Sequence, residues 1–462
     1  MNTMTTTLRP RAERRSGAVQ PGPCTTSPDR VLGSGPMDKG TIEKAVALAG
    51  TDGEWTYNAQ VWTGSLTLGV GSQAWKLTLD QGTISGPVEA TAGPGAGEDI
   101  VVTGTTEAWA NFLTTPAGPG YVDFFAAAGM GAMTLAPWPH DAPHHLALRR
   151  FGDLLRHAAN GTDPAPQVQP NVSRHGQHES AVGRYIHLDL DGVDHRVYYE
   201  TAGQGIGLLC QHTAGADGRQ YRHLLEDERV TSKYQVVVYD LPGHGKSLPP
   251  QSQAWWTERY SLSQKRAMDV PTTLAAALGL HRPVFIGSSV GGMLALDLAR
   301  YHADDYRAVI SLEGGLKVVL PGGLDTTSQR ARTDEDPAAH AAVMMMIMAS
   351  HAPETFRQET RFHYAQGAPG IFNGDIDYYT YEHDLSNEAE NIDTSRCGVH
   401  LLTGEYDFMT VPWTEEAGRR IKGSTCQIMK GLGHFPMSED HEQLMDYALP
   451  ILDDIAAGKG PQ

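Results

Sequence analysis

Cysteine is scarce in this chain. Only Cys24, Cys210, Cys397 and Cys426 occur among 462 residues, and no two stand as a C-x-x-C pair. A disulfide framework is thereby excluded, and the usage fits a reducing compartment. Long apolar runs are missing too, since no stretch approaches the ~18 residues of a membrane-spanning helix. Basic charge is in deficit: 36 Lys and Arg stand against 54 Asp and Glu, for a net charge of −18. Such a surface repels polyanions, which argues against nucleic acid or an anionic membrane as the main partner. The 51 glycines follow no collagen-like period and imply many tight turns instead.

What is present divides into four stretches. Residues 1–36 carry Arg9, Arg11, Arg14 and Arg15 but no apolar signal core after them, and read as a disordered leader of a cytoplasmic protein. Residues 37–158 read as a small α+β unit. Strands are expected at Trp55–Trp62, Ser65–Val70, Ala74–Leu79 and Ile100–Thr103, and helices around Trp109–Leu113, Val122–Ala128 and Leu146–Ala158. Residues 159–183, rich in Pro, Gln, His and Ser, form a linker. From 184 to 459 the rhythm changes. Asp191-Gly192 between two alternating runs signals a hairpin. Six short apolar runs then follow: Gly207–Cys210, Val236–Tyr239, Val284–Ile286, Val309–Leu312, Val399–Leu402 and Cys426–Met429. Helical patterns separate most of them, as in a buried, mostly parallel sheet covered on both faces. An insertion at about 314–395, after the sixth strand of this second unit, has helical character at Ala338–Ala349 and is placed to cover a site.

The chemistry concentrates at strand ends. Gly287-Ser288-Ser289-Val290-Gly291 fits G-x-S-x-G, directly follows the strand Val284–Ile286 and opens the apolar helix Gly292–Ala299. That context pushes Ser289 to the carboxyl edge of the sheet and aims the Val290 N–H at a developing oxyanion. A serine hydroxyl needs a base oriented by a carboxylate. His434, in Gly433-His434-Phe435-Pro436 after the last strand, is the candidate base, and Asp407, after Val399–Leu402, the candidate acid. Glu313, directly after Val309–Leu312, is the alternative acid. The loop after Gly207–Cys210 offers a second oxyanion donor, Ala214 N–H, with Thr213 as alternative. Candidate pocket residues are Thr213, Ser288, Met344, Met345, Tyr381 and Trp413, with Trp255, Trp256, Trp413 and the Tyr378–Tyr381 group as candidate entrance residues. Gly243-His244-Gly245-Lys246-Ser247 lacks the glycine cradle of a phosphate loop and reads as a structural turn. His140, Asp141, His144 and His145 lie in a Pro-rich stretch and read as a solvated loop rather than a metal site. Cys210 and Cys426 fall in strands and read as inert core thiols.

Taken together, Asp240-Leu241-Pro242-Gly243-His244-Gly245-Lys246-Ser247, Gly287–Gly291, Gly404–Asp407 and Gly433–Pro436 make residues 184–456 resemble an α/β-hydrolase with a cap, over about 60% of the chain. The resemblance implies an eight-stranded, mostly parallel sheet flanked by helices, with Ser289 as nucleophile, His434 as base and Asp407 as acid. Thr213 departs from the usual His-Gly of the oxyanion loop. Residues 40–158 faintly resemble a sterol-carrier-protein-type-2-like fold, through Trp75, Gly82, Ile100–Gly104 and the helix of Trp109, Phe112 and Leu113. That implies a lipid cavity or a docking module, the other reading being a dimerisation or stability domain. The resulting expectation is a cofactor-independent serine hydrolase acting with water on an ester or lactone of an apolar compound, with a homodimer left open. Two other readings stand beside it: a carbon–carbon bond hydrolase using the same three residues, and a non-catalytic protein that binds a hydrophobic ligand.

Overall fold

Asp52 starts the first departure from the sequence reading. Its side chain accepts the N–H of Trp55 at 2.7 Å and caps the helix Gly53–Ala59, where a strand is expected over Trp55–Trp62. The computed structural model describes residues 37–91, 99–137, 144–166, 168–318 and 337–461, so the leader, Cys24, His140, Asp141 and part of the insertion lie outside it. After a first helix, Lys39–Ala49, and that second one come five strands. They are β1 (Gly64–Val70), β2 (Gln73–Asp80), β3 (Thr83–Ala90), β4 (Asp99–Gly104) and β5 (Met133–Ala136), in the order β3-β2-β1-β4-β5. The β1–β4 pair is parallel and the others are antiparallel. Trp55, Trp62, Trp109, Phe112, Phe124 and Phe151 are fully buried between this sheet and the helices, the longest of which is His145–Asn160. His144 stacks on Trp62 and His145 meets Phe125 edge-on. Both histidines are buried packing residues, which corrects the solvated-loop reading.

The second sheet has eight strands: β6 (Val182–Leu190), β7 (Val193–Ala202), β8 (Ile206–Gln211), β9 (Tyr234–Tyr239), β10 (Val284–Ser288), β11 (Ala308–Leu312), β12 (Gly398–Gly404) and β13 (Thr425–Met429). Their order is β13-β12-β11-β10-β8-β9-β7-β6. Asp191 and Gly192 turn the β6–β7 hairpin with φ of 56° and 77°. From β9 to β13 all neighbours run parallel. Continuous apolar runs in β8 to β12 follow from helices on both faces, including Gln264–Ala277 and Val290–Tyr301. At the edge, β13 has only one neighbour and Cys426 on it is exposed, so this thiol is not a core residue; Cys210 is fully buried.

Within the insertion, the helices Pro337–Met344, Glu354–Tyr364 and Ile371–Asp377 lead into a single π-helical turn, Tyr378–Glu382. Two buried Asp–His pairs anchor it. Asp375 receives His244 Nε2 at 2.8 Å, and His383 Nδ1 lies 3.1 Å from Asp297 on the helix that follows Ser289. A further bond joins the two sheet units, as the Tyr406 hydroxyl donates to the Ala117 carbonyl at 2.8 Å.

Candidate active site

The end of β10 is forced into a sharp reversal. Ser289 has φ 59° and ψ −112°, a left-handed backbone that a β-carbon disfavours, and it stands at the first turn of Val290–Tyr301. The reversal requires glycine on both sides. A β-carbon on Gly287 would sit 2.5 Å from the Gly291 carbonyl oxygen, and one on Gly291 would sit 2.9 Å from that of Gln211. Successive strand ends carry the chemistry because each hooks to its neighbour. Ser289 N–H donates to Leu312 O, Glu313 N–H to Leu402 O and Glu405 N–H to Met429 O, each at 2.9 Å. Ser289, Glu313 and the turn of Asp407 therefore line one rim of the sheet.

His434 reaches the same rim. The Ser288 hydroxyl donates to the His434 carbonyl at 3.2 Å, tying the histidine loop to the serine turn, and His434 N–H donates to Ile347 O in the insertion. His434 Nδ1 lies 2.5 Å from Asp407 Oδ2. An Nδ1–H donated to the carboxylate leaves Nε2 as the acceptor side of the ring. Asp407 is fully buried. Burial opposes its charge, but His434 and the Thr410 hydroxyl, 2.5 Å away, outweigh that and hold the carboxyl below its usual range. Of the two candidate acids, Asp407 is the one bonded to His434. Glu313 sits behind it, bonded to Gly404 N–H, Thr403 and Thr410. Burial and the Asp407 charge push its carboxyl well up. Glu313, Asp407 and His434 bring donor atoms within 4.8 Å of one another, a grouping that a metal ion could use. Hydrogen bonds within the group and to both threonines already engage those atoms.

The loop after β8 resolves its own alternatives. Thr213 N–H donates to Gln220 Oε1 at 3.0 Å, so that amide is committed. Gly215 N–H is taken by Asp375 at 2.8 Å. Among the described residues, Ala214 N–H and Val290 N–H have no acceptor. His212 is a structural ring: Nε2 accepts Leu241 N–H, Nδ1 bonds Thr213 O, and burial takes its pKa down to about 4.

Of the Tyr378–Tyr381 group that the sequence offers at the entrance, Tyr379 is the one set toward the nucleophile: Ser289 acts on its buried hydroxyl, and its ring packs edge-on against Trp413. Burial, then the Asp407 charge, push that hydroxyl well up, so it stays protonated. Tyr381, on the same turn, is 60% exposed and points elsewhere. Trp255 and Trp256 are exposed as well, Met344 is half-buried, and Met345 lies in the core with Tyr364 and Phe435.

Residues 208–447 match the Alpha/beta hydrolase family. The chain belongs to this family. Among curated relatives, this α/β hydrolase is 30% identical over 140 residues to a 2-hydroxy-6-oxononadienedioate/2-hydroxy-6-oxononatrienedioate hydrolase of Burkholderia vietnamiensis, covering 30% of this chain and 46% of that one. It is 25% identical over 162 residues to a pimeloyl-[acyl-carrier protein] methyl ester esterase of Vibrio cholerae, covering 34% and 56%. The chain thus spans about half the length of these relatives. Two solved structures share the fold. A thermophilic esterase from Thermogutta terrifontis aligns with TM-score 0.51 and 20% identity, over 59% of this chain and 99% of that one. The enol-lactonase from Burkholderia xenovorans aligns with TM-score 0.50 and 18% identity, over 58% and 100%. No helix among the described residues is long and apolar enough to cross a membrane.

Proposed function

We propose that this α/β hydrolase is a serine-dependent hydrolase that cleaves a carboxylic ester or lactone of an apolar small molecule. The observation that carries the reading is Ser289, held at φ 59° on a helix N-terminus next to Ser288, whose hydroxyl holds the carbonyl of a histidine with its Nδ1 pinned by a buried aspartate. Ser289 attacks the carbonyl while His434 Nε2 takes its proton, and Asp407 stabilises the imidazolium. The N–H groups of Val290 and Ala214 receive the oxyanion. His434 returns the proton to the leaving alcohol, then activates a water that releases the acyl group. Tyr379, whose buried hydroxyl Ser289 acts on, walls the nucleophile side of the site.

The test is labelling with a fluorophosphonate, followed by peptide mapping, beside hydrolysis of short p-nitrophenyl esters. Modification at Ser289, and loss of hydrolysis in Ser289→Ala, support the reading; modification elsewhere overturns it. A second reading, cleavage of a carbon–carbon bond beside a carbonyl by the same residues, is favoured by the matched segment of the 2-hydroxy-6-oxo-acid hydrolase. Product analysis with an ester and a β-diketone separates the two.

A further inference from the structure

Two carboxyl side chains are buried behind His434, and the proposed reaction uses one. The other, Glu313, leaves β11 with φ 53° and no solvent exposure. Its Oε1 accepts Gly404 N–H at 2.8 Å. Its Oε2 lies 2.6 Å from Thr403 Oγ1 and 2.9 Å from Thr410 Oγ1. Thr410 Oγ1 is in turn 2.5 Å from Asp407 Oδ2, the oxygen that meets His434.

The protons can be counted. A threonine hydroxyl brings one. Thr403 gives its proton to Glu313 at 2.6 Å rather than to Thr410 Oγ1 at 3.0 Å, and Thr410 has a single proton to give at two carboxyl oxygens. Asp407 faces His434 and is the place for the negative charge, so the Thr410 proton belongs there. The 2.9 Å contact between Thr410 and Glu313 then has no hydrogen unless Glu313 supplies it. An ionised Glu313 would set lone pair against lone pair and put a second negative charge beside Asp407 in a buried place. The titratable groups facing it are Asp407, Tyr379 and, beyond Asp407, His434.

We propose that Glu313 is held as a neutral carboxylic acid donating its proton to Thr410 Oγ1, which makes Glu313 and Thr410 positioning residues for Asp407. The chain of donation runs Glu313 O–H to Thr410, Thr410 O–H to Asp407. Its effect is that one carboxylate charge instead of two stands behind His434, whose ring is held by an aspartate that cannot rotate. This rests on the reading of Asp407 and His434 given above.

Infrared difference spectroscopy on the full chain tests the protonation without reference to turnover. At about pH 8, where an ordinary carboxyl is ionised, wild type minus Glu313→Gln shows a protonated-carboxyl band that shifts in D2O. Glu439, also buried with its pKa pushed up to about 8, contributes a band that survives in the variant. Thr410→Val removes the acceptor and moves the Glu313 band to higher frequency. In ester hydrolysis, Glu313→Gln keeps kcat/KM within about threefold and the acid limb of the pH profile within about 0.3 of a unit, whereas Glu313→Ala loses roughly tenfold or more in kcat. Absence of the band, or an acid limb that drops by about one unit in Glu313→Gln, means a charged Glu313 and overturns the proposal. If Ser289→Ala retains hydrolysis, the catalytic reading fails while the band still reports the proton.

Discussion

His244 and Asp375 meet at 2.8 Å with both side chains wholly buried, joining the turn after β9 to the insertion. Asp375 also accepts Gly215 N–H and the Tyr260 hydroxyl. Removing it strands three buried donors at once. Asp375→Ala is expected to destabilise the fold by about 3 kcal/mol, read as a lower urea midpoint. Asp375→Asn, which retains an acceptor, is expected to cost less. Equal losses in the two variants would sink this account.

Stability is expected to fall as pH rises from about 7.5 to about 8.5. Burial opposes a charge on His244 and His383, yet Asp375 and Asp297 override it and raise both histidines above their usual value. Burial pushes Glu439 up to about 8. Each of these groups binds more protons folded than unfolded in that window. His212, His223, His363 and His400, taken down to about 4 by burial, oppose them only at about pH 6.5. The slope of unfolding free energy with pH is therefore negative above about 7.5. The stability from the two histidines is fully present below their unfolded value and fades through the raised one. Urea midpoints at intervals across the window check this; a flat or rising series contradicts it.

Tyr379→Phe removes the hydroxyl that faces Ser289 and keeps the ring against Trp413. The expectation is a drop of roughly tenfold in kcat with the melting temperature nearly unchanged. A variant with full turnover would reduce Tyr379 to a wall of the site.

Asp407→Asn keeps the shape of the buried acid but cannot hold the imidazole in the same tautomer. Turnover of a p-nitrophenyl ester should fall by about 10³ to 10⁴. Fluorophosphonate labelling of Ser289 should slow in parallel, since both depend on the same proton transfer. Labelling at the wild-type rate would remove Asp407 from the mechanism.

The serine turn was readable because its cause is local: Gly287, Ser289 and Gly291 lie within five residues of one apolar strand. Asp407 and His434 were readable from position, since parallel strands deliver their carboxyl ends to one rim. Choosing between Asp407 and Glu313 needed coordinates, because both follow neighbouring strands and only the register decides which meets the imidazole. The group Tyr378–Tyr381 was legible as a wall of the entrance, but not which of its three tyrosines faces Ser289, because a π-helical turn rather than the usual period sets their directions. Trp55, Tyr57, Ala59 and Val61 alternate like a strand, and the overriding signal was the Asp52 cap. Cys426 looked like a core thiol because an apolar run does not reveal that it forms an edge.

Tyr406, next to Asp407 in sequence, spends its hydroxyl on Ala117 of the first sheet unit, and Ser350 donates to the same oxygen at 2.7 Å. The first sheet unit is thus no detachable passenger but part of the mould in which the acid-bearing loop sets. A shorter relative without those residues must brace the equivalent loop from some other quarter, and grafting this core onto a minimal scaffold would leave that phenol without its anchor.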